Sequence, residues 1–145
     1  MNDKEFKEWE KEVENTEKKN SLLINSFQKY LSSKSLKEET IQNHVNNVDF
    51  FVNNFLLRYE IIPAEEGSYK IGEFLGDYFI RKAMWSTKAA IKENIASFKK
   101  FYTFLNEIEK VSDEDLFEMK LMIKEEKSTW LERVEKFNNS GVDWY

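Results

Sequence analysis

Lys88, Lys92 and Lys99 fall within about 40° of one another on a helix that turns about 100° per residue, and Lys100 lies about 100° further round. Arg81 and Lys82 come just before them, at the end of the preceding helical pattern, so a basic surface can run from one element to the next. The chemistry open to such a set is attraction of ammonium and guanidinium groups to phosphates, which positions a protein on a nucleic acid without reading its bases. The same residues also suit a solvated face on which Lys stems cover apolar neighbours.

Other residue types that do chemistry are not grouped to do it. His44 stands among Asn43, Asn46 and Asn47, one place before the apolar Val45. A general base needs an oriented partner and an acid or nucleophile within reach; none is close in sequence, and His44 reads as a surface or half-buried side chain. Acidic neighbours such as Glu38-Glu39, Glu65-Glu66 and Glu125-Glu126 point about 100° apart on a helix, whereas a hard cation needs converging oxygens. Asp113-Glu114-Asp115 suits a helix N-terminus, where negative charge complements the helix dipole. No glycine-rich phosphate loop, dinucleotide fingerprint, nucleophile elbow or His-Glu metal motif occurs. The expectation is therefore no catalytic residue, no metal site and no cofactor, and a chain that is not an enzyme on its own.

The elements that must carry the basic surface follow from composition and periodicity. A chain of 145 residues with one Pro and four Gly has little punctuation for the turns of a sheet protein and is expected to be all-α. Aromatic residues make up 15%, too many for a disordered polar chain, and must be mostly core. The absence of Cys excludes a disulfide framework and thiol chemistry. With no secretory start and no apolar stretch near the roughly 20 residues needed to span a bilayer, a cytoplasmic protein without membrane contact is expected. The net charge of −5 works against binding a polyanion. It is unevenly spread, however: residues 70–106 hold seven basic and three acidic groups, whereas 107–126 hold three and eight.

Residues 3–18 read as a charged helix with a thin stripe of Phe6, Trp9 and Val13. Asn20 or Ser21 is expected to cap a second helix carrying Leu23, Ile24, Phe27, Tyr30 and Leu31, which ends at Ser32-Ser33-Lys34. Ser35 with Glu38 three places on has the spacing of a capping box, opening a helix whose Ile41, Val45, Val48, Val52 and Phe55 make one face. Pro63 and Gly67 bracket a loop. Ile71 to Trp85 is again helical, with Gly72 and Gly76 marking close helix packing. Ser86 is expected to start a helix that buries Ile91, Ile95, Phe98, Tyr102, Leu105 and Ile108. Ser112 and Asp115 start another; Ser128 either caps a last short helix or lies within its predecessor.

The run Ser35-Leu36-Lys37-Glu38-Glu39-Thr40-Ile41, then Phe50-Phe51, then Ser86-Thr87-Lys88-Ala89-Ala90-Ile91 and Ile95 through Leu105, resembles the N-terminal core-binding domain of the tyrosine recombinases, the phage integrase family. The resemblance covers roughly residues 20–110. It implies a compact, SAM-like bundle of four or more helices, which in the family forms one half of a clamp around duplex DNA. The family's catalytic Arg, His-x-x-Arg and Tyr belong to a separate C-terminal domain, and no nucleophile role passes to Tyr145. The expected organisation is a charged N-terminal helix or arm over 1–19, a helical domain of five to six helices over 20–138, and a tail over 139–145.

Two functions follow. One is a non-catalytic, DNA-associated module of the integrase-like, DNA-recombination kind, contacting duplex phosphates through Lys88, Lys92, Lys99, Lys100, Arg81 and Lys82. The other is a helical protein-interaction module whose partner face involves Phe6, Trp9, Trp85 or Trp144, with a protein partner docking on the N-terminal helix.

Overall fold

The computed structural model describes residues 1–140, which are all-α with no strand among them. Backbone packing divides the chain into two compact units, Met1–Gly67 and Ser68–Tyr145.

The first unit is a helical hairpin. Helix α1 (Asp3–Ser33) is capped by Asn2, whose Oδ1 accepts the Glu5 N–H at 2.9 Å, and Asp3 and Glu5 in its first turn complement the dipole. The break expected at Asn20 or Ser21 does not form. Asn20 is buried, and its Nδ2 donates to Asn53 Oδ1 at 2.7 Å and to the Val52 carbonyl at 3.4 Å. Its amide is engaged by a tertiary partner, so no local cap competes with the helix.

Ser35 is also corrected. It closes α1 rather than opening the next helix: it sits in the left-handed region at φ 61°, and its N–H donates to the Ser32 carbonyl at 3.1 Å. An N-cap needs extended backbone, and that position falls to Lys37, which makes no side-chain cap bond. Helix α2 (Glu38–Asp49) then runs back along α1 and passes into a π-helical stretch, Phe50–Phe55. There the Leu56 N–H reaches back five residues to the Phe51 carbonyl at 3.0 Å. Ile41, Val45, Val48, Val52 and Phe55 are buried as their spacing predicts. His44 is buried too, contrary to the surface or half-buried position expected of it. It lies three residues after Ile41 and four before Val48, which turns it toward the docked face.

Among its described residues the second unit holds a 3-10 turn, Ser68–Lys70, and then three longer helical elements. Helix α3 is composite: a turn Ile71–Glu73, a π-helical stretch Phe74–Tyr78 and a last turn Phe79–Lys82. Helix α4 spans Lys88–Glu107 and α5 spans Asp113–Asn138. The close packing expected at the two glycines is present. A Cβ on Gly76 would lie 2.9 Å from Trp130 Cδ1, and one on Gly72 would lie 3.0 Å from Glu126 Oε2, so α5 crosses α3 at both. Phe74 packs edge-on against Phe98 at 5.8 Å, joining α3 to α4 through aromatic rings.

The start of α4 is one residue later than expected. Thr87 is the cap, its hydroxyl accepting the Ala90 N–H at 3.1 Å. Ser86 is buried; its hydroxyl donates to the Ile80 carbonyl at 3.2 Å while its own carbonyl accepts from Asn138 Nδ2 at 2.9 Å. Ser86 thus fastens the ends of α3 and α5. Ile108, expected in the buried face of α4, is 42% exposed because the helix stops at Glu107 and the chain turns through Glu109 at φ 60°. Ser112 caps α5 as its spacing predicts, accepting from the Asp115 N–H at 3.1 Å, and α5 continues through Ser128 without a break.

Candidate interaction surfaces

The α4 helix holds its basic residues where periodicity places them. Ile91, Ile95, Phe98, Tyr102 and Leu105 are buried, and Lys88, Lys92 and Lys99 are exposed along one edge of the opposite arc. The small residues Ala89, Ala96 and Thr103, seven apart, occupy the middle of that arc, and half-buried Lys100 lies beyond them. Arg81 and Lys82 are exposed in the last turn of α3, where cations also complement helix carbonyls.

Two of these six cations face carboxylates. Lys88 pairs with Glu135 of α5. Arg81 makes a two-pronged contact with Asp77, Nε to Oδ1 at 2.9 Å and Nη2 to Oδ2 at 3.0 Å. Lys82, Lys92, Lys99 and Lys100 form no ion pair among the described residues. The basic surface is therefore carried by four lysines rather than six groups. The acidic first turn of α5, Asp113 to Asp115, belongs to the same unit.

A second surface lies on α1. Its buried residues are Asn20, Ile24, Phe27 and Leu31, all in the C-terminal half. With residue 20 opposite residues 52 and 53, α2 and its π stretch run antiparallel to α1, and no α1 residue before Asn20 is buried. The geometry requires this: α2 with its π stretch is about 27 Å long, whereas α1 is about 46 Å. Asp3 to Lys19, about 25 Å of helix, extends beyond the end of α2. On this arm Phe6 is 49% exposed and stacks on half-exposed Trp9 with ring centroids 6.0 Å apart.

The stripe on the arm continues the one that docks. Phe6, Trp9 and Val13 stand eighteen residues, five full turns, before the buried Ile24, Phe27 and Leu31, and so lie on the same face of a straight helix, with half-buried Leu23 and Tyr30 beside it. A stripe at spacings of three and four is the kind that meets another helix. α2 covers the later half of that face, whereas on the earlier half Phe6 is exposed and Trp9, Val13 and Thr16 are half-buried. Periodicity had shown Phe6, Trp9 and Val13; what it left out was their unbroken register with the docked residues, hidden by the expected break at Asn20.

Of the other residues considered for a partner face, Trp85 is 57% exposed and packs edge-on against Phe79 at 6.2 Å, beside fully exposed Met84. Trp144 and Tyr145 lie outside the described residues. Exposed Phe117 and Leu121, one turn apart on α5, form a small apolar patch that sequence reasoning did not single out. Among the described residues no three His, Asp or Glu side chains group as metal ligands, and no helix is long and apolar enough to cross a membrane. No family model, curated protein or solved structure matches this chain.

Proposed function

We propose that this chain is a non-enzymatic helical interaction module that engages a protein partner through the N-terminal half of α1. The observation that carries this reading is the apolar stripe continuing past the end of α2, with Phe6, Trp9 and Val13 on the face of Ile24, Phe27 and Leu31 but none of them buried. Most helical stability in proteins comes from packing of an amphipathic face, and a helix with an apolar stripe that is not buried gains stability when a second helix covers it. Trp and Phe supply the largest apolar area per side chain and dominate binding energetics at interfaces.

A 21-residue synthetic helix with Leu at both seam positions and Gln at the flanks, used where the probe alone is monomeric, tests the reading. Binding to the whole chain that is lost in the Phe6→Ala, Trp9→Ala double variant supports it. No binding, or equal binding to that variant, overturns it.

A second reading is favoured by the four lysines without ion pairs. In it the chain is a DNA-associated module of the integrase-like, SAM-like kind, with Lys82, Lys92, Lys99 and Lys100 on duplex phosphates and Lys88 and Arg81 reduced to lesser roles by Glu135 and Asp77. Fluorescence anisotropy with duplex DNA at low salt tests it. Replacing Lys92 and Lys99 by Ala should weaken binding about equally across sequences and flatten the salt dependence.

A further inference from the structure

We infer that the partner of the α1 arm is a basic amphipathic helix, with Lys or Arg flanking its apolar seam, and not a second copy of this chain; the inference rests on the docking reading above. In a two-helix seam the residues flanking the apolar positions lie against the flanks of the partner and select it by charge. On the arm those positions are Asp3, Glu5, Glu10, Glu12 and Glu17, with Lys19 the one basic residue, next to the start of the docked half. The arm's other cations, Lys4, Lys7, Lys11 and Lys18, fall on the far side of the helix. All of these flanking residues are exposed.

The sorting is stronger than helix chemistry requires. Acidic residues in the first turn complement the dipole, which accounts for Asp3 and Glu5. Glu10, Glu12 and Glu17 lie two to four turns in, where the dipole no longer selects them. The one arm carboxylate in an ion pair within the helix, Glu14 with Lys18 at 3.5 Å, is on the outer side, while the carboxylates beside the seam make no ion pair among the described residues. Two copies of the arm in parallel would bring acidic flanks together, and in antiparallel order every flank contact but those of Lys19 would also set acid against acid; like charges across a seam penalise the wrong pairing. A basic-flanked helix makes the contact of each flanking carboxylate attractive and leaves only that of Lys19 repulsive.

Three versions of the synthetic helix, identical in their Leu seam and carrying Lys, Gln or Glu at the flanks, decide the matter by calorimetry on the whole chain. The Lys-flanked probe should bind at least about tenfold more tightly than the Gln-flanked one, and the Glu-flanked probe more weakly, the spread shrinking as salt is raised. Replacing Glu10, Glu12 and Glu17 by Lys should reverse that order. The Phe6→Ala, Trp9→Ala variant should lose the Lys-flanked probe, which separates seam docking from general attraction to an acidic protein. Equal binding of the three probes overturns the partner class but leaves the docking reading standing, whereas binding of none overturns both. A homodimer in light scattering that disappears in the Phe6→Ala, Trp9→Ala variant assigns the seam to a second copy and overturns the inference. Retention of the Lys-flanked probe by that variant overturns it as well.

Discussion

At the scale of single residues, the two helix-start signals built on Ser35 and Ser86 illustrate what spacing conveys and what it omits. Both serines lie within three residues of a helix start, but Ser35 takes a left-handed conformation that ends α1, and Ser86 turns its hydroxyl to Ile80 while Thr87 does the capping. Ser and Thr at a helix start are interchangeable by type, and only the backbone angle and the neighbouring chain end decide between them. Ser35→Gly should raise the unfolding free energy measured in urea, by on the order of 0.5–1 kcal/mol, because glycine adopts that conformation without a Cβ penalty. Thr87→Ala should lower stability by about 1 kcal/mol through loss of the cap. The two glycines of α3 should part company. Gly76→Ala drives a Cβ against the buried Trp130 ring and should cost about 1–3 kcal/mol, more than the helix propensity it gains. Gly72→Ala meets the exposed end of Glu126 and should be neutral or stabilising in the same denaturation series.

At the scale of elements, the existence and type of the helices were legible because apolar spacing of three and four persists over many turns. The continuity of α1 was not. Asn20 is as good a cap as it is a buried hydrogen-bonding residue, and the deciding partners, Val52 and Asn53, are more than thirty positions away. The π-helical stretches were equally hidden, since an extra residue in a turn leaves no compositional mark. The two halves of α1 should therefore respond differently to mutation. Phe27→Ala, in the docked half, should cost about 3–5 kcal/mol, whereas Phe6→Ala with Trp9→Ala should leave the denaturation midpoint almost unchanged. Asn20→Ala should fall between, at about 1–3 kcal/mol, because it strands the buried Val52 carbonyl and removes the partner of the half-buried Asn53 amide.

At the scale of the whole molecule, charge separates the two functional readings. The basic run over 70–106 was readable from composition, but its partial neutralisation was not, since Glu135 reaches Lys88 only through the packing of α5 on α4. The acidic flanks of α1 were also present in the sequence, yet they acquire meaning only once the seam is seen to continue past its partner. Amide hydrogen exchange on the whole chain, with and without the Lys-flanked helix, tests the central claim most directly. The account predicts that in the free chain residues 3–19 exchange much faster than 20–33, and that the added helix slows exchange over 3–19 while leaving α4 unchanged. Equal protection along all of α1 in the free chain, or a bound-state change confined to residues 88–100, would contradict it.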